Sequence, residues 1–426
     1  MSIKIAAVAL FALTYLLLLA LPKKRAHIAL ASAAVFIALG IPPPGEIFHT
    51  VNWNVLLMIA GTMGIVSMFI ESGMPALLGD IVIEKASNVK WALVALSMFA
   101  GLISAFVDNV ATVLIVAPIA LTMAKRLNTS PVPGIIAIAL ASNLQGAATL
   151  VGDTTSILLG GQAGLDFLDF FFFQGRPGLF WVVQLGALAS AVILLFVFRR
   201  HSQPVEAGER AAVTEIFPSV LLAGVVVLLI AASFIPAEHK PEITNGLICM
   251  GLFAAGLIQR LIKTKDLRAV KAAVRDIDLF TLLLLTGLFI VVGGVTAAGI
   301  VEDISAFFVT AAGDNTFVIY TMIVWFSVLL SAVIDNIPYV ATMLPVVAGI
   351  SGLLGISPYL LYFGLLTGAT LGGNITPIGA SANITALGIL RKEGHAVKAR
   401  EFMKISVPFT LAAVLTGYVL VWVIWR

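Results

Sequence analysis

Two Asp-Asn pairs, Asp108-Asn109 and Asp335-Asn336, stand inside long apolar stretches of this 426-residue chain. A charged side chain at membrane depth costs at least about 2.5 kcal/mol, so a functional role is the default hypothesis for it. We expect these carboxylates to bind a coupling Na⁺ or to cycle a proton, with Asn109 and Asn336 as further Na⁺ ligands. The alternative is that each Asp only N-caps the helix that follows, and capping is compatible with coupling.

The chain has four interrupted apolar stretches, at 91–127, 132–163, 317–350 and 359–390. Interrupted hydrophobic segments in corresponding places of two halves are the best sequence indicator of a transport site. The second and fourth stretches break at glycines mixed with amide and hydroxyl side chains, which favours ligand binding over mere helix packing. Beside the Asp-Asn pairs, the predicted binding residues are Thr112, Ser142, Asn143, Gln145, Thr149, Asp153, Thr154, Asn374, Thr376, Ser381 and Asn383.

The composition indicates an integral membrane protein. Hydrophobic residues make up 60% of the chain and charged residues 11%, against about 45–50% and 25% in soluble domains. The basic residues lie in short clusters between apolar runs, so the net charge of +3 does not indicate a nucleic-acid partner. The single cysteine, Cys249, excludes an internal disulfide, and the five histidines lie too far apart for a metal site.

An internal repeat appears when the chain is shifted on itself by 227 residues. This shift places Ser104-Ala105-Phe106-Val107-Asp108-Asn109 on Ser331-Ala332-Val333-Ile334-Asp335-Asn336, and it also places Thr149 on Thr376 and Gly152 on Gly379. One constant offset in separate segments predicts two structural repeats.

Lys and Arg in short loops favour the cytoplasm and therefore predict the orientation of each repeat. If 91–127 and 317–350 are re-entrant hairpins, all the basic clusters fall on one face, at 23–25, 85–90, 125–126, 199–210, 260–275 and 391–404. The opposite loops then hold only Arg176 and Lys240. The repeats are therefore predicted to be inverted, with the first hairpin entering from the cytoplasm and the second from outside.

These patterns predict an all-α membrane protein without a separate soluble domain. The predicted parts are N-terminal helices at 1–50, a first repeat at 51–198, a cytoplasmic linker at 199–215 and a second repeat at 216–426. The first repeat contains the hairpin 91–127 and the broken helix 132–163, and the second contains the hairpin 317–350 and the broken helix 359–390. We expect the first apolar run to remain as a helix and not to be a cleaved signal, because no small-residue cleavage site follows it.

The motifs SAFVDNVATVLIVAP, ASNLQGAATLVGD, SAVIDNIPYVATMLP and LGGNITPIGASAN resemble those of the ion transporter superfamily. The resemblance is to the branch with citrate transporter-like domains, arsenite exporters of the ArsB type, sodium/proton antiporters of the NhaD type and the P protein; divalent anion/sodium symporters are related. It implies a scaffold domain that dimerises and a transport domain that moves like an elevator. One departure is the run Gly152-Asp153-Thr154-Thr155-Ser156, where this family usually has Gly-Asp-Pro-Pro-Asn.

Together, the sequence predicts a homodimeric transporter of the inner (plasma) membrane that is driven by a proton or Na⁺ gradient and needs no other cofactor. The cargo stays open between Na⁺, arsenite or antimonite, and a small carboxylate. A passive channel is the alternative. An enzyme is not expected, because no nucleophile, His and carboxylate lie together at membrane depth, and no nucleotide-binding loop is present.

Overall fold

The computed structural model describes residues 3–127, 129–205 and 210–426, and the regular secondary structure in these parts is almost entirely helical. The first ten helices are α1 Ile3–Ala20, α2 Arg25–Ala38, α3 Ile47–Thr50, α4 Trp53–Glu71, α5 Met74–Glu84, α6 Val89–Ser104, α7 Asn109–Arg126, α8 Val132–Gly146, α9 Thr154–Ala163 and α10 Leu179–Val197. Two short strands, β1 Phe172–Phe173 and β2 Arg176–Pro177, pair antiparallel between α9 and α10.

The second half of the chain repeats this order of elements. Its helices are α11 Phe217–Ala232, α12 Thr244–Thr264, α13 Leu267–Arg275, α14 Leu279–Ala297, α15 Ile300–Ala312, α16 Thr316–Ser331, α17 Asn336–Leu354, α18 Tyr359–Gly372, α19 Ser381–Lys392 and α20 Ala399–Trp425. By this order α1 to α3 are the counterparts of α11 to α13, so the structural repeat also includes the N-terminal helices.

Lipid is the solvent for most of the helix surface. Within the described residues, eight helices are long and apolar enough to cross a membrane, or up to nine if α15 and α16, which meet at 119°, form one span. The four shorter apolar helices are α6, α8, α11 and α18. The chain is therefore a multi-pass membrane protein with an all-α fold, as the composition predicts.

The core of the molecule is formed by the two broken helices. Almost every residue of α8 and α18 is buried, and each helix packs against the first arm of its own hairpin, α8 on α6 and α18 on α16. Around this core the two repeats exchange partners, since α2 packs on α14 and α12 packs on α4. The repeats therefore form one interlocked unit.

Helix contacts show that the two broken helices run in opposite directions. The first half of one lies beside the second half of the other, α8 against α19 and α9 against α18. At one face Lys125, near the end of α7, pairs with Glu393, which follows α19, at 2.6 Å. At the other face Tyr359, the first residue of α18, lies 4.6 Å from Phe173 between ring centroids. The repeats are thus inverted, as the charge pattern predicts.

The face that carries Lys125 also carries the basic clusters, and we call it the basic face and assign it to the cytoplasm. The described part of the linker between α10 and α11 runs along it: the Gln203 carbonyl accepts from the Val89 amide at 3.0 Å, and Arg210 pairs with Glu84 at 2.7 Å. Asn128, which follows α7 in the sequence, lies outside the described residues.

Candidate functional site

Each hairpin turns at the aspartate that the sequence singles out. Asp108 is the N-cap of α7, and its Oδ1 accepts from the amides of Val110 at 3.0 Å and Ala111 at 3.1 Å. Asp335 is the N-cap of α17 and accepts from the Ile337 amide at 3.1 Å. The capping alternative is thus met in geometry, and in Asp108 it uses only one of the two carboxylate oxygens.

The breaks in the broken helices wrap around these hairpin tips in the same way in both repeats. The Thr149 hydroxyl donates to the Ala105 carbonyl, and the Thr376 hydroxyl donates to the Ala332 carbonyl. A Cβ on Gly152 would lie 2.8 Å from the Ala105 and Ser104 oxygens, and one on Gly379 would lie 2.8 Å from the Ser331 oxygen and 2.9 Å from the Ala332 oxygen. Only glycine fits at these two positions, and the repeat therefore extends to single hydrogen bonds.

A chain of amides joins the two repeats at the centre of the protein. Asn109 Nδ2 donates to Asn143 Oδ1 at 2.9 Å, and Asn143 Nδ2 donates to Asn374 Oδ1 and to the Thr370 carbonyl, both at 3.1 Å. Asn374 Nδ2 in turn donates to the Leu140 carbonyl at 3.0 Å. Asn143 and Asn374 are fully buried. In this conformation these amides connect the halves and do not point freely into a cavity.

The first half-site, which we define as Asp108, Asp153, Thr154 and Thr62 of α4, surrounds a small cavity. Its volume is about 20 Å³, and its other lining residues are Ile59, Met63, Val66, Phe106, Val151, Gly152 and Ile157. A space of this size holds about one water molecule or one dehydrated small cation. None of these lining residues carries a positive charge. Two carboxylates therefore share the cavity without a basic partner on its wall.

The second half-site, which we define as Asp335, Asn336 and Arg25, has a different charge balance. Arg25 Nη1 contacts Asp335 Oδ2 at 2.7 Å, and the side chains are only 16% and 9% exposed. Asn336 is buried beside Asp335. The repeat shift places Ala380 at the position of Asp153. This half-site thus holds one carboxylate and one guanidinium, with no net charge.

The remaining predicted residues are spread around the two half-sites. Ser142 donates to the Asn109 carbonyl at 3.0 Å, and Asn383 donates to the carbonyls of Gly373 and Thr376 at 3.1 and 3.0 Å. Thr112 is fully buried, and its hydroxyl has no hydrogen-bond partner among the described residues. Gln145 accepts from Gln184 of α10 at 2.8 Å and does not line the first cavity, while Ser381 is exposed at the start of α19.

Sequence reasoning missed three residues that the structure brings to the half-sites or directly beside them. Thr62 lies in the apolar helix α4, and Tyr15 in the apolar helix α1, where its hydroxyl donates to the Pro338 carbonyl at 2.8 Å. Arg25 was visible only as part of a basic cluster that sets the topology. No local signal distinguishes these residues, because their partners are remote in the chain.

A wide vestibule opens on the face opposite the basic face. Its volume is about 1390 Å³, and its walls include Trp53 of α4, Phe289 of α14, Gln162 of α9 and Leu344 of α17. It reaches inward to Leu150 in the first break. The vestibule is therefore lined by residues from the α4 and α14 side of the molecule and from the α9 and α17 side.

Comparison with known proteins gives the same class. The sequence model of the citrate transporter family, CitMHS, matches residues 15–368. The chain is 31% identical over 435 residues to the uncharacterized transporter Rv2684 of Mycobacterium tuberculosis (strain ATCC 25618 / H37Rv), with 98% of each chain covered. It is 27% identical over 476 residues to the P protein of Mus musculus, covering 91% of this chain and 56% of that protein.

A solved structure has the same fold. The YdaH transporter of Alcanivorax borkumensis superposes with a TM-score of 0.63 at 17% identity, and the match covers 98% of both chains. Fold, buried polar half-sites and relatives together define a multi-pass membrane transporter. Because the family match spans most of the sequence, the chain belongs to the citrate transporter family. The resemblance that the motifs carry is confirmed.

Proposed function

We propose that the protein is a secondary transporter coupled to H⁺ or Na⁺, and that the first half-site holds the coupling cation. The observation that supports this proposal is the cavity of about 20 Å³ that Asp108 and Asp153 share with no basic residue on its wall. Two carboxylates that line one small cavity without a basic residue repel each other, so a proton or a metal cation that neutralises one of them is favoured there.

The ligand chemistry of this cavity fits a hard cation. Carboxylate oxygens come from Asp108 and Asp153, and hydroxyl oxygens from Thr62 and Thr154. Oxygen ligands of this kind suit Na⁺ as well as a proton relay. Thr62 lies on α4, whereas the other three belong to the hairpin and the broken helix. A cation bound here would therefore bridge the two sides of the molecule and would respond to their separation.

The proposed cargo is a small ion or oxyanion. A small carboxylate is the first candidate, because the family is described as citrate transporters. Arsenite or antimonite and Na⁺ itself remain in the screen, since the motifs also resemble those of arsenite exporters and sodium/proton antiporters. The exposed start of α19 at Ser381 offers backbone N–H groups to an anion, as broken helices of transporters commonly do.

We further propose alternating access by movement of the hairpins and broken helices against a dimeric scaffold. The positions of the two hairpin tips along the membrane normal support this movement. The first tip, entering from the basic face, packs with Val107 on Val66 and Phe69, within about 8 Å of the basic-face end of α4. The second tip, entering from the opposite face, reaches Arg25 at the basic-face end of α2. Both tips lie toward the basic face, as expected for an inward-displaced transport half.

The experiment is flux into liposomes that contain the purified protein, with imposed proton or Na⁺ gradients and citrate, arsenite and Na⁺ as cargoes. A coupled transporter accumulates its cargo against a gradient, and accumulation stops when the driving gradient is collapsed. Cargo that only equilibrates, at a rate unaffected by either gradient, would support the passive channel and contradict the proposal. Protein carrying Asp303→Asn, an exposed carboxylate paired with Lys4, is the matched control for charge loss.

A further inference from the structure

Arg25 connects the helices α1 and α2 with the second hairpin, which moves relative to them in the proposed transport cycle. It begins α2, which packs on α14, and its guanidinium contacts the carboxylate of Asp335 at the tip of the second hairpin at 2.7 Å. Arg25 Nε also donates to the Leu18 carbonyl at 3.3 Å, which fixes the side chain against α1. The pair is therefore oriented and largely buried.

A second contact holds the same hairpin. The Tyr15 hydroxyl of α1 donates to the Pro338 carbonyl at 2.8 Å and also contacts the Thr342 hydroxyl. Pro338 and Thr342 lie in the first two turns of α17, directly after Asp335. The helices α1 and α2 thus hold the start of α17 at two points, one polar and one ionic.

Separation of the second hairpin from α2 would leave both charges without a partner. Breaking a buried ion pair by removing one partner is strongly unfavourable, because the remaining charge stays desolvated. Asp335 can therefore leave Arg25 at low cost only if another cation takes the place of the guanidinium. The first half-site shows no such pairing, since its cavity wall has no basic residue.

We propose that Arg25 is a tethered counter-cation of Asp335: in this conformation its guanidinium occupies the position that a mobile cation takes when the second hairpin moves away from α1 and α2. The inference rests on the proposed function and deepens it, because it assigns a mobile cation to the second half-site only in the separated conformation. Exchange of the tethered cation for the mobile one prevents the hairpin from moving empty, which would dissipate the gradient.

The docked state can be measured without transport. In a Cys249→Ser background, Tyr15→Cys and Thr342→Cys are joined with a short bismaleimide, whose yield reports how often the hairpin is docked. These two cysteines remove the Tyr15 contact, so the ion pair between Arg25 and Asp335 is the remaining contact that holds the start of α17. We expect Arg25→Ala to lower the yield several-fold, and Lys24→Ala, which removes an exposed charge from the same turn, to leave it unchanged. An unchanged yield in Arg25→Ala overturns the proposal.

Chemical rescue tests whether a free cation can replace the Arg25 guanidinium beside Asp335. Millimolar guanidinium chloride should restore the cross-linking yield and the thermal midpoint of Arg25→Ala, whereas choline chloride at equal ionic strength should not. Asp335→Asn in the same protein should abolish this rescue, because the carboxylate that binds guanidinium is gone. Rescue that persists in Asp335→Asn, or no rescue with guanidinium, contradicts the counter-cation role.

Failure of this inference is distinguishable from failure of the proposed function. Cross-linking and rescue need no gradient or cargo, so they report on Arg25 and Asp335 alone. If they fail while accumulation in liposomes remains gradient-driven, the coupling proposal stands and only the role of Arg25 falls. If accumulation fails while cross-linking depends on Arg25, the Arg25–Asp335 pair holds the second hairpin, but transport by the protein is not coupled to a gradient.

Discussion

At the first half-site Asp108 and Asp153 share a small cavity without a basic residue on its wall, whereas at the second Asp335 is paired with Arg25 and Ala380 stands in the place of Asp153. The backbone around the two tips is nevertheless the same. Threonine hydroxyls donate to equivalent tip carbonyls, and glycines fit against equivalent oxygens. The repeats thus share a scaffold and differ in charge.

This difference shows that two inverted repeats with the same backbone arrangement can perform different tasks. A carboxylate with no partner needs a mobile cation to be stable in a low-dielectric site, whereas a carboxylate with a fixed guanidinium does not. We therefore expect the first half-site to bind a cation in the conformation described, and the second to be neutral without one. Asp108 and Asp335 are therefore equivalent in sequence position and backbone setting but not in their charge partners.

The largest expected effect is an all-or-none difference in labelling between the repeats. In a Cys249→Ser background, Ser130→Cys, just before α8, should react with a membrane-impermeant maleimide only from the cytoplasm. Ser357→Cys, just before α18, should react only from outside, since the two broken helices enter from opposite faces. Reaction of both from one face would contradict the inverted arrangement.

Neutralising the tip carboxylates should have different consequences at the two half-sites. We expect Asp108→Asn to lower gradient-driven accumulation by more than about tenfold, the factor that corresponds to about 1.4 kcal/mol, while the protein remains as stable as wild type, because Asn caps a helix about as well as Asp. Asp335→Asn should also stop driven transport and in addition lower the thermal midpoint, because Arg25 loses its partner.

The measurements are flux against pH and Na⁺ concentration, with thermal unfolding in detergent as the second readout. Exchange of cargo without a gradient can survive in Asp108→Asn, since the cargo path is intact. If both variants keep the pH and ion dependence of the wild type, the carboxylates only cap their helices.

The amide chain at the centre should be essential to both halves. Asn143→Leu removes the acceptor of Asn109 Nδ2 and the donor to both Asn374 Oδ1 and the Thr370 carbonyl. Asn374→Leu removes one acceptor of Asn143 Nδ2 and the side-chain donor to the Leu140 carbonyl. Each substitution should abolish uptake and destabilise the protein by about 2–4 kcal/mol, since an unpaired buried group costs about 1–3 kcal/mol.

A double variant tests whether these amides act as one unit. Asn143 and Asn374 share a hydrogen bond, so replacing both should cost less than the sum of the two single losses. The measurement is the thermal midpoint of the four proteins in the cycle. Normal uptake in both single variants would reduce the amides to packing residues.

Asp153→Ala places in the first half-site the residue type that Ala380 provides at the equivalent position of the second repeat, and it should have a graded effect. One of two cation-binding charges is lost, so the apparent affinity for the coupling cation should fall by roughly tenfold, about 1.4 kcal/mol, while the maximal rate changes less. The cation dependence of initial flux measures it, with Asp303→Asn as the control. An unchanged affinity would remove Asp153 from the cation site.

The smallest effect is expected for an ion pair outside the half-sites. Lys125 pairs with Glu393 at 2.6 Å, but its side chain is 61% exposed, and exposed pairs contribute about 1 kcal/mol or less. Lys125→Gln should therefore leave the thermal midpoint and the flux near wild type, in contrast to Arg25→Gln. A large loss in Lys125→Gln would show that the basic face itself contributes to transport.

Much of the architecture followed from the sequence, because a lipid solvent permits few solutions. Twenty-residue apolar runs must be helices in lipid, polar breaks must be buried, and a repeated motif such as Ser104 to Asn109 and Ser331 to Asn336 implies a repeated backbone. Positive residues on one face then fixed the inversion. The hairpin tips at Asp108 and Asp335 were predictable for the same reason.

The partners of those tip residues were decided only by tertiary structure. Arg25 and Asp335 are 310 residues apart, and nothing in the basic cluster at the end of α1 marks one arginine for a buried contact. Thr62 lies in a mainly apolar helix, and Gln145, predicted to face the site, turns toward Gln184 because α10 packs there. Sequence pattern fixes which residues reach membrane depth, since lipid acts on each segment separately. Which charge faces which depends on the packing of segments that are remote in the chain.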